Sequence, residues 1–150
     1  MALYKLLHVL SVVIWVGGMF FAYMVLRPSI GQLLKLPERM RLWDRVFDRF
    51  FKWVWLAVFL LLATGFYMIY LFGGMGSMPK FIHLMLLSGI VMMAIFVYLF
   101  FGCYVHFSQF VEDKEWSQAE GKLAIIRKLV AVNLVIGLLT VSVAIVGGGY

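Results

Sequence analysis

Four stretches of this chain are long and apolar enough to cross a membrane, and that constrains its fold more than any other feature. They cover residues 3–26, 53–72, 81–107 and 123–146, with boundaries good to a few positions. At about 1.5 Å of rise per residue, each reaches across the roughly 30 Å hydrocarbon layer of a bilayer. A soluble bundle would need a polar stripe on every helix, yet residues 54–62 and 90–101 carry no charge on any face. Composition agrees: 65% of the 150 residues are hydrophobic and 13% are charged, outside the usual range for a soluble domain. The expected fold is all-α, an integral membrane antiparallel four-helix bundle forming one domain over 1–150.

The first stretch has the Lys5-then-apolar order of a secretory leader. It runs too far, has no small-x-small cleavage site before Arg27-Pro28, and carries His8 and Trp15, so it reads as a retained helix. Cys103 has no cysteine partner in the sequence and reads as a small packing residue.

Charge places the loops. The first connection holds Arg27, Lys35, Arg39, Arg41, Arg45, Arg49 and Lys52, and the third holds Lys114, Lys122, Arg127 and Lys128, whereas the second is a Gly-rich turn over 73–79 followed by Lys80. Lysine and arginine mark the cytoplasmic side, so both termini and the Gly-rich turn face outward, which in a bacterial inner membrane is the periplasm. The formal charge of +6 then reflects anchoring and contact with anionic lipid, and nucleic acid is not an expected partner. Pro37 begins a segment with Met40, Trp43, Phe47 and Phe50 spaced among arginines. It either lies in the interface or extends the second span into the cytoplasm. Trp116 among charges suggests that the third connection likewise prolongs its flanking helices. A two-fold homodimer is the expected assembly for so small a bundle with so much lateral apolar surface.

Two of the three histidines stand at matching positions. His8 lies a few residues into the first helix and His83 a few into the third, and both helices run inward from the outer face. Ionisable groups in the apolar region need partners. The pair fits several uses: axial ligation of a haem iron, a shared copper or zinc ion, hydrogen-bonded contacts between helices, interfacial exposure, or proton and substrate chemistry. Among metal uses haem b fits the inventory best, because haem needs two axial ligands whereas a closed zinc site needs four. Ser11 and Trp15 follow His8 on nearby turns, and Gly18 leaves room for a flat macrocycle or a neighbouring helix. Lys5 and Lys80 lie nearer the outer surface, where propionates would need donors. His106 is 23 residues beyond His83, roughly 35 Å along a helix, and reads as an interfacial anchor. Asn133 reads as a hydrogen bond across the bundle or the wall of a polar path. The ten methionines read chiefly as apolar filling. Met19, Met75, Met78 and Met85 are the candidates if Cu(I), which accepts thioethers, passes the outer side.

The segments Lys5-Leu-Leu-His8-Val-Leu-Ser-Val-Val-Ile-Trp15-Val-Gly17-Gly18-Met-Phe20, Leu26-Arg27-Pro28 and Pro79-Lys80-Phe-Ile-His83 resemble the CopD family of membrane proteins and, more distantly, the HemJ-type protoporphyrinogen oxidases. The resemblance implies a compact helical bundle that handles copper or a tetrapyrrole. In HemJ-like proteins the first-helix histidine, matched by His8, is associated with haem binding and protoporphyrinogen oxidation; where their third helix has His-x-Lys, this chain has Met85. CopD-like proteins are linked with copper resistance or uptake. The expectation is a haem b-binding, cytochrome b-like protein with His8 and His83 as axial ligands. It would transfer electrons near the periplasmic face, from quinol or a periplasmic redox partner. The alternatives are a HemJ-like oxidase and a copper-handling membrane protein. No catalytic residue is identified, and whether the chain is an enzyme stays open.

Overall fold

The computed structural model describes residues 2–148. They form four long helices: α1 (Ala2–Leu33), α2 (Leu36–Leu71), α3 (Lys80–Glu112) and α4 (Trp116–Gly147). Helices of 32 to 36 residues are roughly 50 Å long, so each crosses the hydrocarbon and continues beyond it. The all-α membrane bundle expected from the apolar runs is the architecture observed.

The charged connections are largely helical. Pro37 sits in the first turn of α2, where its missing N–H would have had no intrahelical partner. From there α2 runs without a break into the membrane, so the first connection extends the second span. Met40, Trp43, Phe47, Phe51, Val54 and Val58 are buried along it at spacings of three and four, one continuous stripe facing the bundle. Two contacts tie this extension to the start of α4: the Arg41 guanidinium lies 5.1 Å above the Trp116 ring, and Arg39 pairs with Glu120 at 3.3 Å.

Of the three connections that reverse the chain, the first passes through extended Leu34 and Lys35, and the other two use the left-handed region. After α2, Gly73 and Gly74 have φ of 90° and 89°, and the Gly74 N–H donates to the Ile69 carbonyl at 2.9 Å, closing the helix end. Between α3 and α4, Lys114 takes the equivalent position at φ 57°, with the Glu115 N–H donating to the Phe110 carbonyl at 2.9 Å.

Two helices widen locally. In α1, residues Phe21–Leu26 are π-helical just ahead of Pro28, whose ring and missing N–H disturb the preceding turn. In α3 the π-helical segment is Leu99–Tyr104.

Helix α1 packs along α2 and α4, while α3 packs along α4 and, through its C-terminal part, on α2. Helices α1 and α3 therefore stand diagonally. The core toward the charged connections is aromatic: Phe47 and Phe51 stack at 5.1 Å with their rings 2° from parallel, and Tyr104 and Phe96 of α3 meet Phe51 edge-on at 5.0 Å and 5.6 Å. Cys103 is buried there. On α4, a Cβ at Gly137 would come within 2.9 Å of Val16 and 3.1 Å of Met92, so the close approach of α1 and α3 requires glycine there. Asn133 donates to the Met92 carbonyl at 3.1 Å, and Thr140 donates to Ser88 at 2.8 Å, both from α4 to α3. Apolar side chains such as Phe59, Leu87 and Leu139 are exposed on the outside and face membrane lipid.

Candidate functional site

At the end of the bundle bearing the N-terminus and the Gly-rich turn, His8 is half-buried and its Nδ1 lies 2.8 Å from Thr64 Oγ1 on α2. The Thr64 hydroxyl is 2.6 Å from the Leu60 carbonyl and donates to it. Its oxygen is then left to accept from His8, which places the imidazole proton on Nδ1 and a lone pair on Nε2. The ring lies beside Gly65, where a Cβ would stand 3.6 Å from His8 Cε1, an ordinary van der Waals contact.

His83 is exposed on the first turn of α3, with Nδ1 3.2 Å from the Pro79 carbonyl. A carbonyl only accepts, so Nδ1 again carries the proton and Nε2 the lone pair. Both imidazoles are thus oriented by a hydrogen bond on one nitrogen and free to ligate with the other. They have separate surroundings: His8 turns to α2, and His83 is held by its own helix. Met75 lies in the short 3-10 turn Met75–Ser77, Met78 follows it, and Met85 lies one turn into α3, so three thioethers flank His83 in sequence.

Of the other residues expected around a cofactor, Ser11, Trp15 and Gly18 are taken up by packing within the bundle. Ser11 is buried and donates to the Leu7 carbonyl of its own helix at 2.8 Å. Trp15 is buried edge-on against Phe96 with centroids 6.1 Å apart. The space beside Gly18 is filled by the Phe50 ring, which a Cβ there would overlap. Lys5 and Lys80 are exposed near the N-terminal ends of α1 and α3, and His106 is exposed toward the C-terminal end of α3.

A second polar feature lies at the opposite end, where the charged helix extensions meet. A cavity of about 350 Å³ opens between α1, α2 and α4, lined by Arg27, Arg39 and Arg127 together with Trp43, Phe47 and Phe50.

Fold and site together define a multi-pass membrane protein with polar groups gathered at the two ends of an apolar bundle. The chain belongs to the CopD family: the family model described as Copper resistance protein D matches residues 44–146. No curated protein and no solved structure matches it. The match starts inside α2, so it includes the His83 end of α3 and leaves out the first-helix segment that carried most of the resemblance. The HemJ-type resemblance finds no support.

These findings correct the expectation of a cytochrome b-like protein with haem b between His8 and His83. The family is one of copper resistance, and among the described residues no three His, Cys, Asp or Glu side chains gather into a group that could hold a metal ion. The physical reason lies in the packing. His8 turns to Thr64 on α2, His83 is exposed and held by its own helix, and the volume beside Gly18 reserved for a macrocycle is occupied by Phe50. The expectations of iron and electron transport fall with the haem.

Proposed function

We propose that this chain is a copper-handling membrane protein with the copper ion as its cargo. The observation that carries the reading is the match to Copper resistance protein D over residues 44–146. In this reading the chain is one domain over 1–150 in the inner membrane, both termini are periplasmic, and copper is met at the outer end. Cu(I) accepts thioether and imidazole ligands. His83, Met75, Met78 and Met85 supply such donors within the matched region, and His8 offers its Nε2 from α1. A scattered set of soft donors suits a cargo that must leave again better than a closed site would. Ser11, Trp15 and Gly18 support α1 beneath His8, and Lys5 and Lys80 mark the interfacial level. A two-fold homodimer through the exposed apolar flank is part of the proposal, and a mass measurement in mild detergent that finds only monomer removes it.

The test is made in cells. Deleting the native copy and restoring it should change total copper content and growth on copper-supplemented medium, and restoring His83→Ala should recover less of the difference. Identical copper content and tolerance in deleted and restored cells, with the protein present in the membrane, would overturn the reading.

A further inference from the structure

The cavity between the charged ends of α1, α2 and α4 has an unbalanced lining. Three arginines come from three different helices, against the single carboxylate of Glu120. Arg39 is matched with Glu120 at 3.3 Å. Arg27 lies flat over Tyr23, 4.3 Å from the ring centroid, and neither Arg27 nor Arg127 makes an ion pair among the described residues. Two guanidinium groups without a counter-anion therefore share one small space. The inner wall is apolar: Met40 is 0%, Phe47 5% and Trp43 6% exposed. The π-helical segment Phe21–Leu26 places Tyr23 and Arg27 together in this lining.

Guanidinium forks match the oxygens of a phosphate, and two lining one small cavity favour an anionic group there. A small, strongly hydrated anion gains nothing from a wall of tryptophan and phenylalanine, whereas an amphiphile satisfies both halves of the lining. The cavity lies at the lysine- and arginine-rich end of the bundle, where basic clefts between membrane helices attract anionic headgroups. Its volume of about 350 Å³ is at the small end of the roughly 300–1,000 Å³ range of ligand sites, room for a headgroup with the chains left outside.

We propose that this cavity is a binding site for the phosphate headgroup of an anionic phospholipid, held by Arg27 and Arg127 with its adjoining carbons against the aromatic wall. The site binds independently of copper. Because Arg27 lies on α1, Arg127 on α4 and the aromatic wall on α2, the lipid bridges three helices at the end where the bundle is most polar, and it stabilises the folded protein by mass action.

Native mass spectrometry of the full chain in mild detergent tests this. Wild-type protein is titrated with phosphatidylglycerol, with phosphatidylcholine, and with phosphatidylglycerol in the presence of excess inorganic phosphate. The expected result is retained phosphatidylglycerol adducts, few phosphatidylcholine adducts, and no displacement by phosphate. The double variant R27Q/R127Q, checked for folding by circular dichroism, should bind phosphatidylglycerol at least about tenfold more weakly. Equal binding of the two lipids overturns the proposal, as does full retention by the folded double variant. Displacement by inorganic phosphate overturns it in favour of a soluble anion. The comparison of lipids uses wild-type protein alone, so it decides the matter even if the variant does not fold.

Discussion

His8 Nδ1 stands 2.8 Å from Thr64 Oγ1, a side-chain bond that joins α1 to α2 and fixes which face of the imidazole edge is free. Thr64→Val keeps the shape and removes the acceptor. Hydrogen bonds between membrane helices average somewhat under 1 kcal/mol, so the expected loss is about 1 kcal/mol, with Thr64→Ser close to wild type. Thermal unfolding in mild detergent measures it, and an unchanged Thr64→Val midpoint would mean that the bond adds no net stability.

Gly18 and Phe50 should be energetically coupled. A side chain at position 18 overlaps the Phe50 ring, so Gly18→Val should cost about 1–3 kcal/mol through overpacking. Replacing Phe50 with leucine in the same chain should recover part of that loss, giving a coupling term in a double-mutant cycle. Simple additivity of the two changes would show that the ring yields freely.

Lys114 holds φ 57° in the turn between α3 and α4, a conformation that costs a residue with a Cβ roughly 1 kcal/mol or more. Lys114→Gly should therefore raise stability by about 1 kcal/mol, less the entropy glycine adds to the unfolded chain. A lowered midpoint in the same unfolding assay contradicts this.

Asn133 is 2% exposed; its Nδ2 bonds the Met92 carbonyl while its Oδ1 has no partner among the described residues. Losing the bond and relieving the unpaired oxygen oppose each other, so Asn133→Leu should fall within about 1 kcal/mol of wild type. Asn133→Ala leaves a void as well and should be the less stable of the two.

The helices were legible because an 18-residue apolar run has few other uses, and Pro37 with the spaced aromatics signalled that the first connection was helical. The facing of the helices was not legible. Residues 90–101 are apolar all round, so no stripe tells which side of α3 meets its neighbours. Equal depth of His8 and His83 followed from topology, but their partners depend on which helices are adjacent, and α1 lies against α2 and α4. Gly18 was read as leaving room for a flat macrocycle or a neighbouring helix, and only the folded chain identifies the Phe50 ring as what lies against it. Arg27, Arg39 and Arg127 were counted as loop charge. Their convergence depends on the first π-helical segment and on α2 continuing outward as helix, which a charge count does not contain. Pro28 was the available signal for the widened turn, and nothing comparable marks Leu99–Tyr104.

The central claim, that copper is this protein's cargo, is tested most directly by Cu(I) uptake into vesicles carrying the purified full chain, followed by metal analysis of the washed vesicles. The account predicts uptake above that of protein-free vesicles, slowed in a His83→Ala, Met78→Leu double variant that remains folded. Uptake equal to that of empty vesicles, from wild-type protein shown to be folded and inserted, would contradict it.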